Sequence, residues 1–253
     1  MLDELINVNL FAFLLVFIRL GTAFMVVPGF GEAYVAPRVR LSLALAVSFI
    51  VTQLIGDQLP AEPSSPVGLL MLLGGEILIG LVMGGVLRTL LSALHVAGTI
   101  IAQQSGLAAA QFFDPSVMAQ GAITSTFLTL MGLTMIFVTD LHYLFIQGTL
   151  ESYRIFPVGQ MPDFGSVNEL VTGYIQTSFR LGFQIAAPFL VFGLTFYIGI
   201  GLINRLMPQV QIFFIAMPLQ IGLSFAILSL MIGAGMMWFI NHYQQALVTF
   251  LGE

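Results

Sequence analysis

The feature that most constrains this chain is the succession of long apolar stretches that fills it. They run at about Leu5 to Val27, Leu41 to Ile55, Val67 to His95, Gly121 to Thr139, Val171 to Ile203 and Val210 to Ile240. About 20 mainly apolar residues carry a helix across the hydrocarbon core of a bilayer, so roughly six crossings fit. Composition offers no other way to cover such segments. Of the 253 residues, 58% are hydrophobic and 8% are charged, where a soluble domain has roughly 25% charged. Polar groups this scarce cannot coat a surface in water, and lipid has to do so. Backbone groups in lipid need partners inside their own segment, which a helix supplies. The expected fold is therefore all-α: a polytopic helical membrane protein with about six long apolar helices interrupted by Pro and Gly breaks.

The breaks are explicit. Pro28-Gly29-Phe30-Gly31 ends the first stretch, and Gly56 to Pro66, with Pro60, Pro63, Ser64 and Ser65, reads as a loop. Glu151 to Glu169, with Pro157, Pro162 and Gly165, reads as another, and Asn204 to Gln209 as a short polar turn. Pro188 and Pro218 are expected to kink the last two helices. Gly80 and Gly84 form a GxxxG spacing, which lets two helix backbones approach closely in lipid. Val96 to Gln120 differs in kind. It is rich in Ala, Gly, Ser and Gln, contains Phe112-Phe113-Asp114-Pro115, and is expected to be re-entrant rather than spanning. The opening Met1-Leu2-Asp3-Glu4 lacks the positive charge of a secretory signal, so the first stretch is expected to remain as a helix.

Charge limits both function and orientation. The net charge is −5, which argues against nucleic acid, and all seven basic residues are Arg. Arg38, Arg40, Arg88 and Arg205 lie at alternate span ends. If these ends are cytoplasmic, both termini and the loops Gly56–Pro66 and Glu151–Glu169 lie outside. Arg19, Glu76, Arg88 and Arg180 sit within apolar stretches. A charge at the centre of a membrane helix costs about 2.5–3.5 kcal/mol, so each is expected to face protein or water, either in structural and inter-subunit pairs or along an ion path. Glu76 and Arg88 are too far apart on one helix to pair with each other.

Nothing supports an enzyme. There is no Cys, and His95, His142 and His242 make no ligand spacing with one another or with a carboxylate. They read as interfacial residues. Phosphate-binding glycine loops and nucleophile elbows are absent. No cofactor and no metal are expected. The 13 Met residues suit ordinary packing or the lining of an adaptable conduit.

Several passages together resemble one family. They are Phe17-Ile18-Arg19, Pro28-Gly29-Phe30-Gly31-Glu32, Pro37-Arg38-Val39-Arg40-Leu41, Gln104-Ser105-Gly106-Leu107, Phe112-Phe113-Asp114-Pro115, Asn204-Arg205-Leu206-Met207-Pro208-Gln209 and Met217-Pro218-Leu219. In this order the chain resembles the FliR/SpaR/YscT family of type III export-gate proteins, on its flagellar side. One departure is Asp140-Leu141-His142, where the family pattern would be nearer Gly-His-His. The resemblance implies a subunit that assembles with FliP and FliQ into a gate in the bacterial inner membrane at the flagellar basal body. That gate passes unfolded flagellar proteins, and FlhB binds its cytoplasmic side. It also implies a FliP-like helical part over residues 1–165 and a FliQ-like helical hairpin over 166–253.

On that basis Gln104, Gly106, Gln111, Phe112, Phe113, Asp114 and Pro115 are expected to form a pore-closure loop: small and Gln residues suit a narrow wet lumen, and two Phe rings can exclude water. Asn204, Arg205, Pro208 and Gln209 are expected to form a cytoplasmic partner-contact turn. The alternatives are a gate subunit of a virulence type III system and a small-molecule secondary transporter. The transporter would predict two halves with matching interrupted helices, which the sequence lacks.

Overall fold

The computed structural model describes residues 10–56, 59–107, 123–159, 162–209 and 212–251. Among these residues the chain forms seven helices: α1 (Leu10–Val26), α2 (Pro37–Ile55), α3 (Pro66–Gln104), α4 (Ile123–Val138), α5 (Leu141–Ile155), α6 (Phe164–Leu206) and α7 (Ile212–Leu251). The fold is all-helical. Four helices are long and apolar enough to cross a membrane, and α4 with α5 makes a fifth if the pair is one broken span. The helix α1, at 17 residues, is a shorter apolar one.

The breaks have local causes. Gly29 has φ 93°, a left-handed conformation that glycine adopts without steric cost. A Cβ on Gly31 would meet the backbone carbonyls of Met25 and Val27 at 2.6 and 2.9 Å, so only glycine fits that turn. Pro37 opens α2 within its first turn, where its missing N–H is no loss. Ser65 accepts a bond from the Gly68 N–H at 3.1 Å at the start of α3, and Asp163 accepts from the Ser166 N–H at 2.9 Å at the start of α6. Both act as N-caps. The Ser166 bonds also hold the Asp163 carboxyl below its ordinary range.

Two sequence expectations change here. The polar stretch Glu151–Glu169 is not one loop: α5 continues to Ile155 and α6 begins at Phe164. Asp163 caps the new helix, and the i,i+3 pair Glu151–Arg154 lies along α5. Nor does a re-entrant segment begin at Val96, because α3 runs on to Gln104. Its small residues Ala97, Gly98 and Ala102 are buried, and a Cβ on Gly98 would collide with the Ser125 backbone. Small side chains here serve helix packing.

The chain divides into two compact units. Unit 1 comprises residues up to Thr89, Phe137–Ile175 and Tyr243 onward. Its core includes Leu15, Val16, Leu20, Phe24, Met83, Leu87, Phe145 and Leu247. Gly80 and Gly84 lie against α1: a Cβ on Gly80 would strike the Thr22 side chain and the Arg19 carbonyl, and one on Gly84 would lie 2.9 Å from the Ala23 carbonyl. The GxxxG spacing thus brings α3 onto α1 of the same chain. Phe30 packs edge-on to Phe24 and Phe137. Unit 2 comprises Leu90–Ile136 and Gln176–His242, with Leu90, Leu94, Leu128, Leu181, Phe189 and Phe239 buried. Gly182 approaches the Ala93 carbonyl, and Gly132 meets Leu94 and Phe239.

Candidate functional site

The intramembrane charges separate into three environments. Arg19 on α1 and Glu76 on α3 pair with each other in the interior of unit 1, at 0% and 1% exposure. The Arg19 Nε donates to Glu76 Oε2 at 2.6 Å and Nη2 donates to Oε1 at 2.9 Å, a two-pronged bond. Two further bonds are made: Nη2 reaches the Phe156 carbonyl at 3.0 Å and Nη1 the Ser152 hydroxyl at 3.2 Å. The guanidinium lies 3.9 Å over the Tyr153 ring, a favourable cation–π position. Desolvating two charges is expensive unless the geometry is good and further hydrogen bonds support the pair, and here they come from α1, α3, α5 and the turn after α5. Both carboxylate oxygens are engaged by the one cation, which suits a structural tie better than a proton relay.

Arg88 is partly exposed. It donates to the Val26 carbonyl at 3.2 Å and lies 3.7 Å from Glu32. Arg40 donates to the carbonyls of Glu32 and Val35. Together they brace the loop between α1 and α2. Arg180 differs again. It is exposed on α6 and has no hydrogen bond or ion pair among the described residues.

The expected closure loop is only partly in view. Gln111, Phe112, Phe113, Asp114 and Pro115 lie outside the described residues. Gln104 closes α3, and Gly106 follows with φ 77°. Buried Gln220 on α7 donates to the Gln104 carbonyl at 2.8 Å and to the Tyr197 hydroxyl at 3.2 Å. A Cβ on Gly106 would lie 3.3 Å from Gln220 Oε1. This amide therefore satisfies a helix-end carbonyl that apolar surroundings would otherwise leave bare. Nearby, a cavity of about 410 Å³ is lined by Ile101, Leu107, Ile123, Phe127, Phe225 and Leu228. It brings no ionisable groups together.

At the other expected site, Asn204, Arg205, Pro208 and Gln209 are all exposed at the end of α6. Arg205 lies in its last turn, where a cation complements the helix dipole. The His142 ring lies tilted against those of Phe137 and Tyr143, with centroids 5.1 and 4.2 Å away. Among the described residues no group of three His, Asp or Glu could hold a metal.

Sequence reasoning missed Ser152, Tyr153, Gln220 and Tyr197. For Gln220 the available signal is a Gln inside an otherwise apolar stretch, which names no partner.

Comparison with known proteins gives a consistent result. The profile of "Bacterial export proteins, family 1" matches residues 10–246. The chain is 39% identical to the flagellar biosynthetic protein FliR of Caulobacter vibrioides, over 93% of this chain and 94% of that protein. It is 33% identical to FliR of Aquifex aeolicus, over 95% and 93%. It is also 26% identical to the Yop proteins translocation protein T of Yersinia pestis, over 98% and 94%.

Proposed function

Since the chain belongs to the bacterial export proteins of family 1, the family of the flagellar FliR proteins, we propose that it forms, with FliP and FliQ, the conduit through which unfolded flagellar proteins cross the inner membrane. Members of this family are components of type III protein export and not enzymes. The observation that carries the flagellar reading is the 39% identity to a flagellar relative against 26% to a virulence one, each over more than nine tenths of both chains.

In this reading, residues 1–165 supply the FliP-like part and 166–253 the FliQ-like hairpin. The segment from Gln104 to Gln120 is the closure element, with Phe112 and Phe113 excluding water from the lumen. The turn Asn204–Gln209 faces the cytoplasm and meets FlhB. The many large apolar side chains left exposed, such as Leu70, Phe179, Leu194 and Leu230, are covered by neighbouring subunits and lipid.

Affinity purification of the tagged chain from detergent-solubilised membranes tests the reading. FliP- and FliQ-like subunits should co-purify, and loss of the chain should abolish export of flagellar proteins. A stable lone monomer that binds a small molecule would favour the transporter instead. Replacing Phe112 and Phe113 by Ala should leave the complex assembled but leaky to small solutes. An assembled complex as tight as wild type removes the closure role.

A further inference from the structure

We propose that the face of α6 bearing Gln176, Arg180 and Gln184 is an interface for a helix of a neighbouring membrane subunit that presents a carboxylate to Arg180. The inference rests on the export-complex reading and adds the surface and the chemistry of its partner.

Three observations lead there. First, the residues are spaced by four, so they line one stripe of the helix, and all three are exposed. None makes a hydrogen bond or ion pair among the described residues. Second, the stripe is edged by Phe179 and Phe183, at 54% and 52% exposure. Neither solvent suits this mixture. Lipid penalises the Arg and the two Gln, and water penalises the two rings. A protein surface satisfies both, and Arg with aromatic residues is the composition enriched in interface cores. Third, the cation has no anion within reach of its own unit. The described residues of unit 2 contain no Asp or Glu, and its charged side chains are Arg180 and Arg205. Asp114 is the one acid in that stretch of sequence and lies outside the described residues.

A planar guanidinium recognises a carboxylate through two parallel bonds. The flanking glutamines can satisfy the oxygens or backbone around it. An Asp or Glu on an apolar helix is the matching partner, since each charge removes the cost of the other.

The test uses the full tagged chain in its native membranes. A photo-crosslinking amino acid is placed at Gln184, with exposed Leu230 on α7 as the comparison site. Subunit co-purification is measured for wild type, Arg180→Lys and Arg180→Glu. The expected result is an adduct at Gln184 with another membrane subunit, mapped to a peptide carrying Asp or Glu. Arg180→Glu should lower co-purification by about tenfold or more, since like charges meet at a desolvated contact. Arg180→Lys should stay within about threefold of wild type, keeping the charge but losing the fork.

Adducts with lipid alone at Gln184, or unchanged co-purification of Arg180→Glu, would overturn the proposal. So would rescue of Arg180→Glu by Asp114→Lys, which would place the partner within the chain. Should Arg180→Glu fail to accumulate, the Gln184 adduct in the otherwise native chain still decides. A wild-type chain that brings down no other subunit removes the export-complex reading and this interface together. One that brings them down regardless of residue 180 removes the interface only.

Discussion

A guanidinium enclosed in unit 1 has to be matched donor by donor, and the residues that match Arg19 come from positions 57 to 137 residues away. No spacing rule links such positions, which is why the sequence marked Arg19 and Glu76 as costly charges but could not pair them. Removing one member strands the other. Arg19→Ala or Glu76→Ala should each destabilise unit 1 by about 3–5 kcal/mol. The double replacement Arg19→Met with Glu76→Leu should be milder than either single change, because it removes both desolvation costs. Thermal melting of the purified chain in one detergent checks this, and a double variant that melts below both singles would refute it. A second position was half visible. The family pattern suggests glycine where Asp140 stands, and Asp140 has φ 59° and ψ 15°. A left-handed backbone costs an ordinary residue about 1–2 kcal/mol. Asp140→Gly should therefore hold or raise the melting temperature, whereas Asp140→Val should lower it. The reverse order would show that the Asp carboxylate, and not the backbone, is what the position needs.

Among elements, apolar length located six of the seven helices, because burial in lipid needs only hydropathy and that is written residue by residue. The helix α5 was missed: most of it lies between the stretch ending at Thr139 and the expected loop Glu151–Glu169, and only its end, from Glu151 to Ile155, fell inside that loop. Its buried face is Leu141, Phe145, Gly148, Thr149, Ser152 and Tyr153, a set too polar and too small for hydropathy to register, since it packs against protein and an ion pair. The end of α3 was misplaced for a related reason: Ala, Gly and Gln residues read as loop composition while serving helix contacts. The GxxxG spacing was read correctly as a close-packing device, but its partner α1 came only with the structure. It yields a paired prediction. Gly80→Val places atoms where Thr22 and the Arg19 carbonyl already lie, and should cost about 1–3 kcal/mol or more by forcing α1 from α3. Gly85 meets nothing within 4 Å, so Gly85→Ala should be neutral or stabilising by up to about 1 kcal/mol. Chain yield and melting temperature in detergent report both. Equal loss at the two sites would mean that glycine is needed along α3 for some reason other than contact with α1.

For the whole molecule, helix length complicates any simple topology. The helices α3, α6 and α7 have 39, 43 and 40 residues. At 1.5 Å per residue each is about 60 Å long, roughly twice the hydrocarbon core of a bilayer. Such helices tilt strongly or extend beyond the lipid, so hydropathy fixes how many apolar segments exist but not the depth of each. Side is a separate question from depth, and the expectation for it comes from where Arg is retained. If Arg38, Arg40, Arg88 and Arg205 mark the cytoplasmic side, as the sequence leads one to expect, the segment before α3 is expected on the other. The chain has no Cys, so single introduced thiols report side without background. Ser64 is exposed just before α3 and Gln209 is exposed just after α6. Neither has a hydrogen bond that a Cys would remove, unlike Ser65, which caps α3. In intact cells an impermeant maleimide that reaches the periplasm should label Ser64→Cys. It should label Gln209→Cys only after the inner membrane is permeabilised. Labelling of both from outside would place the turn after α6 away from the cytoplasm and exclude it as the contact for a cytoplasmic partner. The opposite pattern, with Gln209→Cys reached first, would invert the orientation. The Arg bias would then reflect pairing, of the kind Arg88 makes with Glu32 within the chain, and not retention at the cytoplasmic face.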